Sequence, residues 1–319
     1  MTVRGCLLLL AIAVAAAGTA AGQGAERRVH TFYYGWYASP DVDGHASHWN
    51  HEIIHDPDGR SYPGGRDIGA DYYPALGPYS SRDPQVVATH VAQMKAAGTG
   101  VAVASWWGPG SFEDLALPLL LDEAAAAGLE VAFHLEPFPG RNAETSHEAL
   151  AALVTAYGDH PAVHRPAAWG GRPVVYVYDS YLTPAAEWAR LLAPDGDLGI
   201  RGTDLDAVVI GLWVQQHEED FFAVGHFDGF YTYFAADGFT WGATAANWTS
   251  LADHAREHDL IFVPCVGPGY LDTRVRPWNA ATTRDREGGA YYDRMFGAAI
   301  ACRPAAIGVT SFNERHEGT

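Results

Sequence analysis

The sequence predicts an α/β chain: a single (β/α)8 TIM barrel with a long ordered loop after its first strand. Three observations predict it. Eight short runs rich in Val, Ile, Phe and Tyr alternate with Ala/Leu-rich stretches of helical pattern. Each run is nearly continuous in apolarity, as a strand covered on both faces must be. Polar and aromatic residues collect at the C-terminal ends of the runs, where barrels of this kind build their sites. Eight alternations favour a closed barrel over an open sheet.

Taken in order, the predicted strands cover 30–36, 100–107, 130–137, 173–181, 207–214, 229–235, 260–266 and 306–313. The first is aromatic and ends in Trp36. A loop over 37–83 follows, long enough to be either functional or disordered. Its aromatics (Trp49, Tyr62, Tyr72, Tyr73, Tyr79) argue for an ordered flap. A helix over 84–97 opens on Asp83-Pro84, a capping side chain before a first-turn proline, and closes at Gly98. The second strand ends in Trp106-Trp107 and leads to a helix over 112–127, closed by Gly128. The third carries His134 and Glu136 at its end, before a helix over 146–157. The fourth ends in Tyr178-Asp179, and Thr183-Pro184 is expected to cap the helix over 184–192. Gln215-Gln216-His217 follows the fifth, and Tyr231 and Tyr233 belong to the sixth. Helices over 247–258 and 290–301 flank the seventh, and the eighth discharges into Asn313-Glu314. A covering helix after the eighth strand is missing, so a fragment is expected, with residues 22–319 forming one C-terminally truncated catalytic domain.

Composition narrows the function. With 48% hydrophobic and 18% charged residues, the 319-residue chain has material for a large core. Its net charge of −18 repels phosphate backbones, which excludes nucleic acid as a partner. The count of 10 Trp and 16 Tyr exceeds what an ordinary core needs, whereas the single lysine, Lys95, reads as genomic bias.

Arg4, an apolar run over 6–17 and the small residues Thr19-Ala20-Ala21 have the layout of a secretory signal, assigned to residues 1–21. The run is shorter than the roughly 20 residues that span a bilayer. A secreted or periplasmic protein without stable membrane insertion is expected. The alternative is an uncleaved N-terminal anchor in the secretory pathway. Export leaves Cys265 and Cys302, either bridged or as free buried thiols.

His51-Glu52-Ile53-Ile54-His55 matches the zinc-hydrolase pattern, whose chemistry needs both imidazoles on one helix face. The match ends at once in Asp56-Pro57-Asp58-Gly59, a turn sequence, so loop histidines are the favoured reading. No cofactor motif accompanies it.

Glu314 and Glu317, three apart just past the last strand, both face the barrel mouth if the chain turns there. Glycosidic bond cleavage needs such a pair: an acid for the leaving oxygen and an anionic group at the sugar. Glu136 ends the third strand and is positioned to share the site. The exposed aromatics supply platforms for the apolar faces of sugar rings.

At these residues the chain resembles glycoside hydrolase family 99, the endo-α-1,2-mannosidase and endo-α-1,2-mannanase family, over about residues 32 to 319. The resemblance rests on Asp43-Gly44 with His48-Trp49-Asn50-His51, on Tyr72-Tyr73-Pro74-Ala75-Leu76-Gly77-Pro78-Tyr79-Ser80-Ser81-Arg82-Asp83-Pro84, and on His134-Leu135-Glu136-Pro137. Further matches are Tyr176-Val177-Tyr178-Asp179-Ser180-Tyr181, Phe227-Asp228-Gly229-Phe230-Tyr231-Thr232-Tyr233-Phe234-Ala235, Val266-Gly267-Pro268-Gly269-Tyr270 with Arg276-Pro277-Trp278-Asn279, and Ser311-Phe312-Asn313-Glu314 with His316-Glu317-Gly318-Thr319.

The resemblance implies a retaining endo-acting enzyme that hydrolyses internal α-1,2-mannosidic linkages of mannan or high-mannose N-glycans without metal or cofactor. It implies Glu317 as acid/base, and Glu314 as the base that activates the substrate's own 2-hydroxyl, giving a 1,2-anhydro sugar. Trp107, Glu136, Tyr178, Tyr233, Arg276, Asn313, His48 and Trp49 match sugar-holding positions. Trp107 and the signal lean towards bacterial, mannan-directed members. One departure is Arg315, where the family has Trp. A cation between the carboxylates would lower the pKa of both. The competing readings are a catalytically impaired mannan-binding barrel and a zinc hydrolase using His51, Glu52 and His55. A monomer is expected.

Overall fold

The computed structural model describes residues 28–319, so the segment read as a signal lies outside the described residues. Eight parallel strands form the barrel: β1 (Val29–Tyr33), β2 (Val101–Trp106), β3 (Glu130–Leu135), β4 (Val174–Val177), β5 (Val208–Leu212), β6 (Gly229–Tyr231), β7 and β8 (Ile307–Val309). β7 comprises two segments, Ile261–Val263 and Cys265–Val266, separated by Pro264, which has no N–H to offer the ladder. The first segment pairs with β6 and the second with β8, and β8 pairs with β1, so the barrel closes through the proline. The Pro264 carbonyl still accepts the Gly308 N–H at 2.9 Å.

Seven helices cover the crossovers: α1 (Pro84–Ala96), α2 (Phe112–Ala127), α3 (Ala143–Tyr157), α4 (Ala185–Leu192), α5 (Phe221–Val224), α6 (Trp248–Glu257) and α7 (Ala290–Ala301). Asp83 caps α1 as expected, accepting the Gln85 N–H at 2.8 Å, and Gly128 closes α2 in the left-handed region. Thr183 does not cap α4. The residue at the cap is Pro184, and the Thr183 hydroxyl instead accepts from Arg141 Nε at 3.3 Å. The predicted strands run too long at their C-terminal ends: Tyr178 and Tyr233 lie in the loops beyond β4 and β6. Tyr233 and Asp179, the neighbour of Tyr178, take positive φ, which turns the chain out of the ladder at the mouth.

Two apolar shells hold the barrel. Between strands and helices pack residues such as Leu120, Phe133, Leu153, Trp188 and Phe230. Inside the barrel lie Phe32, Val103, Tyr176, Ile210, Tyr231 and Cys265. Polar groups in that interior are paired: His30 Nδ1 with the Tyr176 hydroxyl, and His134 Nε2 with the Tyr231 hydroxyl, both at 2.7 Å. Cys265 and Cys302 are both free thiols, and burial pushes Cys265 up to about 12. Packing beside it is tight. A Cβ on Gly308 would lie 2.4 Å from the Cys265 sulfur, which explains a glycine in β8.

The long loop is ordered by local structure: a helical turn (Pro40–Asp43) and a hairpin of Asn50–Glu52 against Ser61–Pro63. Its Trp49 is buried, with the indole N–H on the Tyr79 carbonyl at 2.7 Å. His51 and Glu52 therefore sit on a strand, where neighbours alternate faces, and His55 lies beyond it with φ of 57°. The His51 ring packs on His316 at 4.8 Å and the His55 ring on Trp278 at 5.0 Å. The shared helix face that zinc chemistry needs is missing, and among the described residues no group of three or more His, Cys, Asp and Glu could hold a metal ion.

Candidate active site

The last barrel strand delivers the carboxylate pair. Past β8 the chain turns through Arg315–Glu317, a single 3-10 turn in which the Glu317 N–H donates to the Glu314 carbonyl at 3.1 Å. The turn is clamped from β1. Asn313 Oδ1 accepts the Tyr34 N–H and its Nδ2 donates to the Tyr34 carbonyl, both at 2.8 Å. The Tyr37 hydroxyl donates to the Asn313 carbonyl at 2.7 Å and accepts the Arg315 N–H at 2.9 Å. The Ser311 hydroxyl accepts the Glu314 N–H at 2.8 Å. This clamp turns Glu314 and Glu317 into one cavity of about 420 Å3 at the C-terminal face of the barrel.

The two carboxylates have different partners. Glu314 accepts from the Tyr233 hydroxyl at 2.8 Å, and Tyr233 is in turn in short contact with the Tyr34 hydroxyl. Glu317 accepts from Arg276 Nη1 at 2.8 Å. Arg276 is held by Asp272, at 3.2 Å, which also accepts from the Tyr270 hydroxyl at 2.9 Å and Asn279 Nδ2 at 2.8 Å. Burial and the neighbouring Glu317 charge push Glu314 well above the usual carboxylate range. Burial also raises Glu317, but the Arg276 guanidinium opposes it. The two titrate as a pair, and the guanidinium bonded to Glu317 favours the anion on that side of it.

Glu136 forms part of the wall. Its Oε1 accepts from the Ser105 hydroxyl at 2.7 Å, and the same hydroxyl accepts the Trp107 indole N–H at 3.2 Å. Trp107 is thereby anchored although 43% exposed. Tyr178 meets Tyr233 edge-on at 4.9 Å. Burial keeps the Tyr34, Tyr178 and Tyr233 hydroxyls well above their usual range, so all three remain neutral donors.

Of the ten residues singled out from sequence, seven line this cavity: Trp107, Glu136, Tyr178, Tyr233, Arg276, Glu314 and Glu317. Three stand behind it. His48 stacks under Trp36, with ring centroids 4.4 Å apart, Trp49 packs on Tyr37, and Asn313 spends its amide on the Tyr34 backbone. They stand outside the lining of this cavity, behind the residues that face it. Arg315 also departs from expectation. It does not line the cavity, and its charge acts on Tyr33, Tyr37, Tyr79 and His90. One residue on in a tight turn, its side chain leaves on the far side. Tyr34, Trp36, Tyr270, Trp278 and Asn279 also line the cavity, and Asp272 supports it from behind, yet sequence reading assigned none of them. Their sequence signals were position after β1 and β7 and, for Tyr270, Trp278 and Asn279, membership of the motifs that carry the family resemblance.

A larger cavity, about 890 Å3, opens at the N-terminal ends of the strands. There Arg172 and Arg201 each bridge both Asp206 and Asp228 at 2.8–3.2 Å, so the charges are spent on one another. That end of such barrels serves stability.

Aromatic walls with converging carboxylates and a guanidinium suit a sugar chain. By fold and site the molecule is thus a barrel of the glycoside hydrolase class. The sequence profile described as Glycosyl hydrolase family 99 matches residues 25–319, and the chain belongs to that family. It is 44% identical to "Glycoprotein endo-alpha-1,2-mannosidase" of Rattus norvegicus, over 91% of this chain and 66% of the relative. It is also 44% identical to "Glycoprotein endo-alpha-1,2-mannosidase-like protein" of Homo sapiens, over 91% of this chain and 67% of that one. The chain thus spans about two thirds of the length of these relatives. The solved "GH99 endo-alpha-mannosidase from Bacteroides thetaiotaomicron" superposes with a TM-score of 0.88 at 46% identity, covering 92% of this chain and 86% of that one.

Proposed function

We propose that the protein is a retaining endo-α-1,2-mannosidase that cleaves internal α-1,2 linkages of mannan or high-mannose N-glycans. The observation that carries this reading is the unequal pair in one cavity: Glu314 under a tyrosine hydroxyl, Glu317 under a guanidinium. The Glu314 carboxylate takes the proton of the sugar's 2-hydroxyl as that oxygen closes on the anomeric carbon. The glycosidic C–O bond breaks and its oxygen takes the proton of Glu317. Water then opens the 1,2-anhydro ring at the anomeric carbon, losing a proton to Glu317 while Glu314 returns one to the 2-oxygen. Two inversions give net retention, without the enzyme-bound ester of most retaining glycosidases.

The guanidinium on Glu317 favours its anion, whereas this cycle needs the acid there. A bound sugar corrects it. A 2-hydroxyl donating to Glu314 stabilises its anion, and a glycosidic oxygen accepting from Glu317 stabilises the acid. Glu136, Tyr178, Tyr233 and Arg276 orient the sugars, and Trp107 offers a stacking face. The impaired-barrel alternative rested on Arg315 and on the missing last helix; of these, Arg315 does not line the cavity that holds the pair. Export behind a cleaved leader over residues 1–21 and a monomeric state complete the proposal.

Incubation with yeast α-mannan and with glucosylated high-mannose glycan, followed by product sizing, tests the reading. Release of an oligosaccharide from either is expected. Glu317→Gln is expected to abolish release while binding survives, yet still to turn over substrates whose leaving group needs no proton. Glu314→Gln is expected to lose both activities, each by about 10²-fold or more. Equal activity in wild type and Glu317→Gln rules out the assigned role.

A further inference from the structure

We propose that a second groove on the mouth face, beyond Trp107, binds a further sugar of the same glycan chain. The inference rests on the endo-mannosidase reading above and extends it to substrate length. The groove, of about 430 Å3, lies between the loops that follow β2 and β3 and the start of α3. Phe138, Pro109, Thr145 and Glu148 line it, and none of these belongs to the main cavity. Trp107 lines both spaces.

Three features make the groove a continuation of the site. First, it opens on the C-terminal face, where barrel substrates bind, unlike the larger cavity at the opposite end. Second, the shared wall is anchored: the Trp107 indole N–H is bonded to Ser105, which also donates to Glu136, so the partition is fixed from the main cavity. Third, the lining has the chemistry of a sugar subsite. Phe138 and Pro109 offer apolar faces, and the exposed Glu148 carboxylate offers an acceptor for hydroxyls. Beside Trp107 the groove is lined by Gly108, at positive φ, where a Cβ would meet nothing within 4 Å. An enzyme that cuts inside a chain must let sugars run out of its cleavage site, and the groove beyond Trp107 offers that exit.

The test is kcat/KM of the full chain on α-linked manno-oligosaccharides of increasing length, for wild type, Phe138→Ala, Glu148→Gln and Phe138→Tyr. The wild type is expected to gain on addition of the unit that reaches the groove. Phe138→Ala should erase about tenfold on long substrates and leave the shortest unchanged, Glu148→Gln should do so more weakly, and Phe138→Tyr should retain the gain. Variants that match wild type at every length, or that lose equally at every length, overturn the proposal. Absence of cleavage at all lengths tells instead against the mannosidase reading. Calorimetric binding of the same oligosaccharides then decides the groove alone: length-dependent weakening by Phe138→Ala supports it, and none refutes it.

Discussion

Arg276 places Nη1 2.8 Å from Glu317 Oε1, across 41 residues of sequence, while Glu314 accepts from the neutral Tyr233 hydroxyl. The guanidinium is held in that position by Asp272, a fully buried carboxylate. This pairing distinguishes two carboxylates of the same residue type that share one cavity.

Removing the guanidinium should therefore move a pH limb. Arg276 opposes the upward push of burial on Glu317, so Arg276→Gln lets the carboxyl rise further. An acid is lost as pH climbs through its pKa. The alkaline limb of kcat/KM should then shift to higher pH, alongside a lower plateau. A limb that stays in place or moves down would detach Arg276 from the acid.

Burial of Glu314 also has a stability consequence. A carboxyl whose pKa is raised on folding contributes stability that is full below the unfolded value and lost as pH rises through the folded one. At neutral pH the site thus carries a cost, which Glu314→Gln removes while leaving the Tyr233 hydroxyl an acceptor. The variant is expected to melt at least about 2 °C above wild type at pH 7. The gap should close as pH falls towards 4, read by thermal melts across that range. A gap that widens on acidification contradicts the sign.

Barrel closure offers a packing test. A methyl on Gly308 would lie 2.4 Å from Cys265 Sγ and 3.3 Å from Phe32, so Gly308→Ala should cost about 1–3 kcal/mol in denaturant unfolding. Cys265→Ala makes room, and the double variant should recover a part of the loss that additivity does not predict. Strict additivity would place the strain elsewhere.

Strand–helix alternation was legible because buried parallel strands must be continuously apolar, so all eight runs correspond to strands. Their ends were not, because Tyr178 and Tyr233 are apolar enough to extend a run while the loops carry them out of the ladder. Thr183 looked like a cap because the dipeptide is right, but Arg141, 42 residues away, engages its hydroxyl. His48, Trp49 and Asn313 carry the same residue types as true lining groups. Whether an amide faces a sugar or a tyrosine backbone is settled only by what packs against it.

By itself, the sequence determined the barrel, the family and the two carboxylates past the last strand, because these follow from local pattern and residue identity. Only the tertiary structure decided that Arg276 and its buried support face Glu317, that Arg315 stays out of the cavity lining, and that burial raises both carboxyls while the guanidinium opposes the rise at Glu317. Those properties depend on burial and on charges brought together from distant strands. Coulombic and desolvation effects act through space, and no spacing along the chain records them.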